Sequence, residues 1–498
     1  MLKYICMSDL ANGRIIILGL GREGLSSYRF LREQFPDQEL TLADQSPSAV
    51  LFINFPEWKE ISQTDRKLIW QTGNHYLEKL ATYDFLIKTA GIPITLPAIQ
   101  QALELNPSLQ ITSNMQLFFD RCQGTVIGIT GSKGKSTTSQ LIFDILSQAD
   151  YKSVLLGNIG RPALNYLSVI DQETLVVAEL SSHQLAELKA SPQVAVLLDV
   201  TPEHLDYFVN FDQYAASKTA ITRYQSPNDW LIYNPQLAGA SKLAALSAVR
   251  PNHQLKHSLI DKSDDQDYQV FIKDEEIYWR KLDNPSALQN LMPVAEIKLL
   301  GRHNLYNVLS AIAVAQIFQV SESSLRQSIS NFRGLAHRLE LVAELDKVRY
   351  YDDSIATNPT ASSAAIRSFP QGKVILLAGG SDKKLDLKEY FISIIEQKVK
   401  ALLLFPPLGE KILEELKAMW QERQLDAATF PKYRICQSMT EAVEQAQLWA
   451  QADDVVLLSP ACASFGLFKD YLDRGQQFQL AVNNLAKKQS NNTELKQS

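Results

Sequence analysis

Short β-branched runs alternate along this chain with stretches whose apolar residues recur every three or four positions. Residues 14–18 predict a strand entering Gly19-Leu20-Gly21-Arg22-Glu23-Gly24; a helix is predicted over 25–31 and a second strand over 39–43, ending at Asp44. Strands at 83–88 and 109–112 flank a helical stretch at 96–105. Residues 126–130 lead into Gly131-Ser132-Lys133-Gly134-Lys135-Ser136-Thr137, after which Leu141, Ile142, Ile145 and Leu146 fall at helical spacing. Further strands are predicted at 174–177, 194–198, 339–345, 348–351, 374–378 and 455–458, with helices at 308–318 and 361–367. Residues 250–290 are polar, carry an Asp-rich run at 261–267 and read as a variable surface excursion, and the tail after 487 reads as frayed. Repeated strand–turn–helix units predict an α/β fold with mainly parallel sheets, in three domains at 1–123, 124–333 and 334–498.

At 498 residues the chain is too long for a single core. Hydrophobic content of 45% and charged content of 21% describe a soluble globular protein. Mixed charges with a net of −6 argue against a nucleic-acid partner. Four scattered cysteines, without a CxxC pair, fit a reducing compartment and no disulfide framework. Residues 1–13 hold no signal-peptide core, and no apolar run reaches the ~18 residues of a membrane span. A cytoplasmic monomer without membrane insertion is expected.

The turn at Gly131–Thr137 has the chemistry of a phosphate cradle. Glycines let backbone N–H groups close on phosphate oxygens, and a helix N-terminus favours the negative charge. Lys135 would reach the β- and γ-phosphates, and the Ser136 hydroxyl would sit on Mg²⁺. Ile129 stands where the standard P-loop has glycine, so an ordinary strand–turn–helix with a surface lysine is the competing reading. In the first turn, the spacing from Gly24 to Asp44 suits an acid meeting a ribose or base hydroxyl. A nucleotide-like ligand follows, with NAD one option; alternatively the glycines only turn the chain.

Glu179, Asp199, His204 and Asp206 fall at the carboxyl ends of predicted strands, where α/β sheets bind ligands. Asp199 and Glu179 compete as the acid that holds a metal. His204 alone would be a core histidine; beside acids and a phosphate cradle, metal binding becomes an equal reading. Lys218 reads as a solvated helix lysine, Asn304 and Asn307 share one helix face, and Cys462 reads as a small buried residue rather than a nucleophile.

The blocks Gly131-Ser132-Lys133-Gly134-Lys135-Ser136, Gly157-Asn158-Ile159-Gly160, Glu179-Leu180-Ser181-Ser182, His204-Leu205-Asp206, Gly301-Arg302-His303-Asn304, His337-Arg338, Asp353-Ser354 and Ser459-Pro460-Ala461-Cys462-Ala463-Ser464 together resemble the Mur ligases over nearly the whole chain. Their order is most similar to the glutamate-adding branch of that family. The resemblance implies a Rossmann-like UDP-binding domain, a central P-loop ATPase domain and a C-terminal Rossmann-like domain that closes on ATP. By resemblance, the substrates are UDP-N-acetylmuramoyl-L-alanine, ATP with Mg²⁺, and D-glutamate, and the product belongs to peptidoglycan precursor synthesis.

The resemblance also distributes roles among residues. Gly21, Arg22, Asp44, Gln45, Asn158 and Ser181 would meet the UDP substrate. The cradle from Gly131 to Thr137, with Ser132 and Lys133, would hold ATP together with Asn304, Asn307, Arg338 and Asp353. Ser136, Glu179, His204 and a carbamylated Lys218 would bind metal, and Lys135, Lys218 and His204 would be catalytic. Lys383, Ser464 and Tyr471 would take the glutamate. ATP would phosphorylate the alanyl carboxylate, and the glutamate amine would displace phosphate from that acyl phosphate; water must be excluded meanwhile.

The chain departs from the family at Lys133, Ile355, Gly466 and Thr89-Ala90-Gly91-Ile92, where Asn, Lys, Asp and Ser-Pro-Gly-Ile are usual. Ile355 and Gly466 change the amino-acid pocket, so L-glutamate stays open as the alternative. An NAD-dependent oxidoreductase, resting on Gly19–Gly24 alone, and a regulatory ATPase without synthesis are the remaining readings.

Overall fold

A computed structural model describes residues 6–158, 161–201, 208, 210–299, 301–381, 386–464 and 466–497, with side chains given through 487. The chain forms two compact units, Met1–Ile297 with Arg302–Asn331, and Lys298–Gly301 with Phe332–Ser498.

The first unit carries two sheets. In the first sheet β1 (Ile15–Leu18), β2 (Leu40–Asp44), β3 (Leu68–Thr72), β4 (Phe85–Lys88) and β5 (Gln110–Ser113) run parallel in the order β3-β2-β1-β4-β5. All four residues of β1 are buried, as expected of a strand with both faces covered. The helix Arg22–Gln34 lays Leu25, Tyr28 and Leu31 on this sheet. Its first turn sits so close to the end of β1 that a β-carbon on Gly24 would lie 2.0 Å from the Gly19 carbonyl oxygen. Strand order reverses between β1 and β4, which leaves a crevice beyond their carboxyl ends.

The second sheet comprises β6 (Thr125–Thr130), β7 (Ser153–Gly157), β8 (Leu175–Glu179), β9 (Val194–Leu197), β10 (Trp230–Tyr233), β11 (Gln254–Ser258), β12 (Tyr268–Lys273), β13 (Glu276–Arg280) and β14 (Leu288–Pro293). The order is β14-β13-β12-β11-β10-β9-β6-β8-β7, parallel from β7 to β12 and antiparallel beyond. The segment 250–290 is therefore not a surface excursion. Val270, Ile272, Ile277 and Trp279 alternate into the core, and Arg280 is 3% exposed because its guanidinium donates to the carbonyls of Tyr268, Lys262, Ser263 and Pro285. One hydrophobic cluster runs from Leu10 to Val249 and so joins the cores of both sheets. Trp58, fully buried in it, donates its indole N–H to the Leu20 carbonyl at 2.7 Å.

In the second unit β15 (Glu340–Leu345), β16 (Val348–Asp352), β17 (Val374–Gly379), β18 (Ala401–Phe405), β19 (Lys432–Ile435) and β20 (Val455–Leu458) lie in the order β15-β16-β20-β17-β18-β19. β15 and β16 form a hairpin whose turn residues Asp346 and Lys347 both have positive φ, as a two-residue primed turn requires. The other pairs are parallel. The last helix runs from Tyr471 to Gln497, past the point at which the sequence predicts fraying. Among the described residues no helix is long and apolar enough to cross a membrane.

Candidate active site

β6 is flanked by β8 and β9, so the turn after it meets the carboxyl ends of both. Ser132 N–H donates to the Asp199 carbonyl at 2.7 Å, and Ser132 Oγ donates to the Thr201 carbonyl at 2.7 Å and lies 2.8 Å from the Tyr214 hydroxyl. Gly134 caps the helix Lys135–Gln148 at φ +87 and, being glycine, supplies no side-chain cap to it. A β-carbon on Gly134 would sit 2.3 Å from Asn307 Oδ1. Asn307 in turn donates to Asn304 Oδ1 at 2.8 Å, so the two asparagines form one pair beside the turn. Lys135 Nζ donates to the carbonyls of Gly131 and Ser132, at 2.9 and 2.6 Å, which folds the lysine over the cradle it is expected to serve. Ser136 is half-buried and Thr137 buried, while Lys133 is exposed. Burial and the Lys133 charge together lower the His303 pKa.

Glu179 ends β8 and is 1% exposed. Asn158 Nδ2 donates to its Oε1 at 2.8 Å, whereas Oε2 is buried without a hydrogen-bond partner. An unsatisfied carboxylate oxygen in a buried position is what a hard divalent cation takes as a ligand, so the donor set fits Mg²⁺. Asp199, the competing acid, contributes its carbonyl to the cradle and leaves its side chain half-buried. Lys218 is not a solvated helix lysine: it is 1% exposed, donates to the Gly131 carbonyl at 3.0 Å and lies 4.8 Å from the Tyr214 ring centroid. His204 and Asp206 lie outside the described residues.

At the first sheet, Asp44 accepts the Leu20 and Ser46 N–H groups, both at 2.7 Å, and thereby fixes the turn that carries Gly21 and Arg22, next to Gln45. Glu23, unremarked in the sequence, accepts the Ala90 N–H at 3.0 Å with Oε2 and Gln184 Nε2 at 3.0 Å with Oε1. Gln184 belongs to a capping box with Ser181, so Glu23 links the glycine turn to the helix start that carries Ser181. Lys88, 2% exposed, pairs with Glu187 at 2.9 Å alongside.

In the second unit, His337 has φ +62, and its Nδ1 lies 2.7 Å from Asp352 Oδ2, which raises the imidazole pKa. Arg338 is exposed. Asp353 accepts the Ser459 hydroxyl at 2.7 Å and the Leu339 N–H at 3.2 Å, but burial dominates and pushes its pKa up to about 7. Ser464 is buried; Tyr471 opens the last helix, and its carbonyl accepts the Ser354 hydroxyl at 2.8 Å. Lys383 lies outside the described residues. Cys462 is buried, as the sequence suggested.

Residues 129–315 match the Mur ligase middle domain, and residues 337–462 the Mur ligase, glutamate ligase domain. The UDP-N-acetylmuramoylalanine–D-glutamate ligase of Acetivibrio thermocellus is 33% identical over 96% of this chain and 97% of its own length. Its namesake in Symbiobacterium thermophilum is 36% identical over 83% and 87%. The chain belongs to the Mur ligase family.

Among solved structures, UDP-N-acetylmuramate–alanine ligase from Thermotoga maritima shares the fold at a TM-score of 0.52 and 14% identity, over 95% of this chain and 100% of that one. A UDP-N-acetylmuramoyl-L-alanyl-D-glutamate–2,6-diaminopimelate ligase also reaches 0.52, at 16% identity over 81% and 92%. Of the Mur ligase positions read from the sequence, Lys135, Ser136, Glu179, Lys218, Asn304 and Asn307 gather around or beside the β6 turn. The GxGxxG pattern attends only to its glycines and so gives no signal for Glu23.

Proposed function

We propose that this chain is an ATP-dependent ligase that joins D-glutamate to UDP-N-acetylmuramoyl-L-alanine in the cytoplasm, the reaction for which its relatives are named. The observation that carries the chemistry is the buried, unpartnered Glu179 oxygen at the strand end beside the Gly131–Thr137 cradle.

In this reading the first-turn N–H groups and Lys135 hold the ATP phosphates, and Lys135 leaves its carbonyl partners to do so. Ser136, Glu179, His204 and a carbamylated Lys218 would hold Mg²⁺, which supplies charge neutralisation between the alanyl carboxylate and the γ-phosphate. Asn304 and Asn307 take the adenine. Arg338 and Asp353 serve the nucleotide, and Ser464, Tyr471 and Lys383 the amino acid. Gly21, Arg22, Asp44, Gln45, Asn158 and Ser181 orient the UDP substrate. Transfer of the γ-phosphoryl group to the carboxylate gives an acyl phosphate and ADP; attack by the glutamate amine forms the amide, and phosphate leaves with the C–O bond pair.

Phosphate release with Mg-ATP and UDP-N-acetylmuramoyl-L-alanine, compared with D-glutamate, L-glutamate and no amino acid, tests this directly. Turnover with D-glutamate alone supports it. Turnover with L-glutamate alone makes Ile355 and Gly466 the specificity switch, and Gly466 has φ +112, a conformation an aspartate there would rarely adopt. Release without any amino acid overturns the ligase reading.

A further inference from the structure

We infer that Arg474 is the positioning residue of the amino-acid pocket. Its buried guanidinium ties the chain segments around that pocket together and sets a fixed positive charge beneath them, for the carboxylates of an incoming dicarboxylic amino acid. The inference rests on the reading above that this unit takes up glutamate.

Arg474 lies in the last helix, one turn after Tyr471, and is 0% exposed. Nε donates to Ser354 Oγ at 3.0 Å, and Nη2 donates to the Ser354 carbonyl at 2.9 Å. Nη1 and Nη2 both donate to the Cys462 carbonyl at 3.2 Å. A β-carbon on Gly380 would lie 3.6 Å from Nη1, so the turn after β17 packs on the same group. Ser381 N–H donates to the Ala463 carbonyl at 3.0 Å, and Ser354 Oγ donates onward to Tyr471. The segments after β16, β17 and β20, and the start of the last helix, therefore share one side chain. Those are the carboxyl ends at which an α/β sheet receives its ligand, and they carry Ser464 and Tyr471.

The guanidinium donates to the Ser354 hydroxyl and to the Ser354 and Cys462 carbonyls, and the Cys462 side chain also bears on it. Asp352 acts on it through space, but the Asp352 carboxylate is engaged by His337, Gln479 and the Ser354 N–H. Burial is the largest influence on this guanidinium and disfavours its charge, and arginine does not escape that cost by losing its proton. The cost is offset if the anion arrives with the ligand. Because no Arg474 atom reaches solvent, the residue acts through the Ser354 and Cys462 segments and through its field, not by contact.

Arg474→Gln and Arg474→Lys test this, with KM for glutamate, ATP and UDP-N-acetylmuramoyl-L-alanine measured beside near-UV circular dichroism. Arg474→Gln is expected to raise the glutamate KM roughly tenfold or more, with the other two KM values within about twofold, and Arg474→Lys is expected to recover part of the loss. A folded Arg474→Gln with unchanged glutamate KM, or with all three KM values shifted alike, overturns the inference. If Arg474→Gln does not fold, Arg474→Lys decides: the lost fork still raises the glutamate KM selectively, or the inference falls. A wild-type protein indifferent to glutamate would remove the underlying reading and the inference with it; a glutamate-dependent wild type with indifferent variants removes the inference alone.

Discussion

Asn158 donates to one oxygen of the Glu179 carboxylate, and the other oxygen is buried with no partner. The asparagine therefore orients the acid without neutralising it. Glu179→Gln keeps an acceptor for Asn158 and removes the charge. Turnover is expected to fall by about a hundredfold or more, with melting temperature little changed. Steady-state rates over a magnesium titration check this; near-normal turnover at ordinary magnesium would remove Glu179 from the metal site.

Lys135 Nζ donates to the Gly131 and Ser132 carbonyls of its own turn, at 2.9 and 2.6 Å, so these two bonds join no separate elements. Lys135→Ala is expected to abolish turnover while leaving affinity for the UDP substrate intact. Calorimetric titration with that substrate, beside a phosphate-release assay, separates the two effects.

Gly134 combines φ +87 with a close approach to Asn307. Gly134→Ala therefore meets both backbone strain and a clash, at a cost of about 1–3 kcal/mol. Denaturant melting should show that loss, and ATP affinity should fall with it because the helix start is displaced.

Glu23 accepts from Ala90 and Gln184 with its two oxygens. Glu23→Ala leaves both donors without their acceptor and is expected to cost roughly 1–3 kcal/mol. The KM for the UDP substrate should rise several-fold while the ATP KM holds. An ATP KM that rises equally would mean that the bridge serves general stability instead.

Asp353 gives the protein a pH signature. Its pKa is raised from 3.8 to about 7, so the folded state binds the proton more tightly than the unfolded chain does. Stability from this group is fully present below about pH 4, falls as pH rises toward 7, and is flat above. Asp353→Asn should remove that slope, worth on the order of a few kcal/mol. Melting curves from pH 5 to 8 on both proteins, run at about equal ionic strength, show whether it does.

The sequence disclosed the β6 turn because phosphate cradling is a local demand: glycines, lysine and hydroxyl lie in consecutive positions. It disclosed β1, β2, β16 and β20 because parallel strands buried on both faces read as short apolar runs. It concealed β11–β14 because a half-polar alternation inside an Asp-rich stretch resembles loop composition. Lys218 looks like any helix lysine until the fold buries it against Tyr214 and Gly131. Arg474 gives no signal in the sequence, since Ser354 and Cys462, which it holds together, lie 120 and 12 residues away along the chain.

β20 follows the other five strands of its sheet in the chain yet lies between β16 and β17 rather than at an edge. Until residues 455–458 emerge from the ribosome, the second unit has a vacancy in the middle of its sheet, and β16 and β17 have no common neighbour. Residues 455–458 must be made before this unit can close as a cooperative whole. A nascent or truncated chain that stops short of β20 thus carries the β6 cradle but no finished partner unit, so in the proposed reading nucleotide uptake is acquired earlier in translation than completion of the bond.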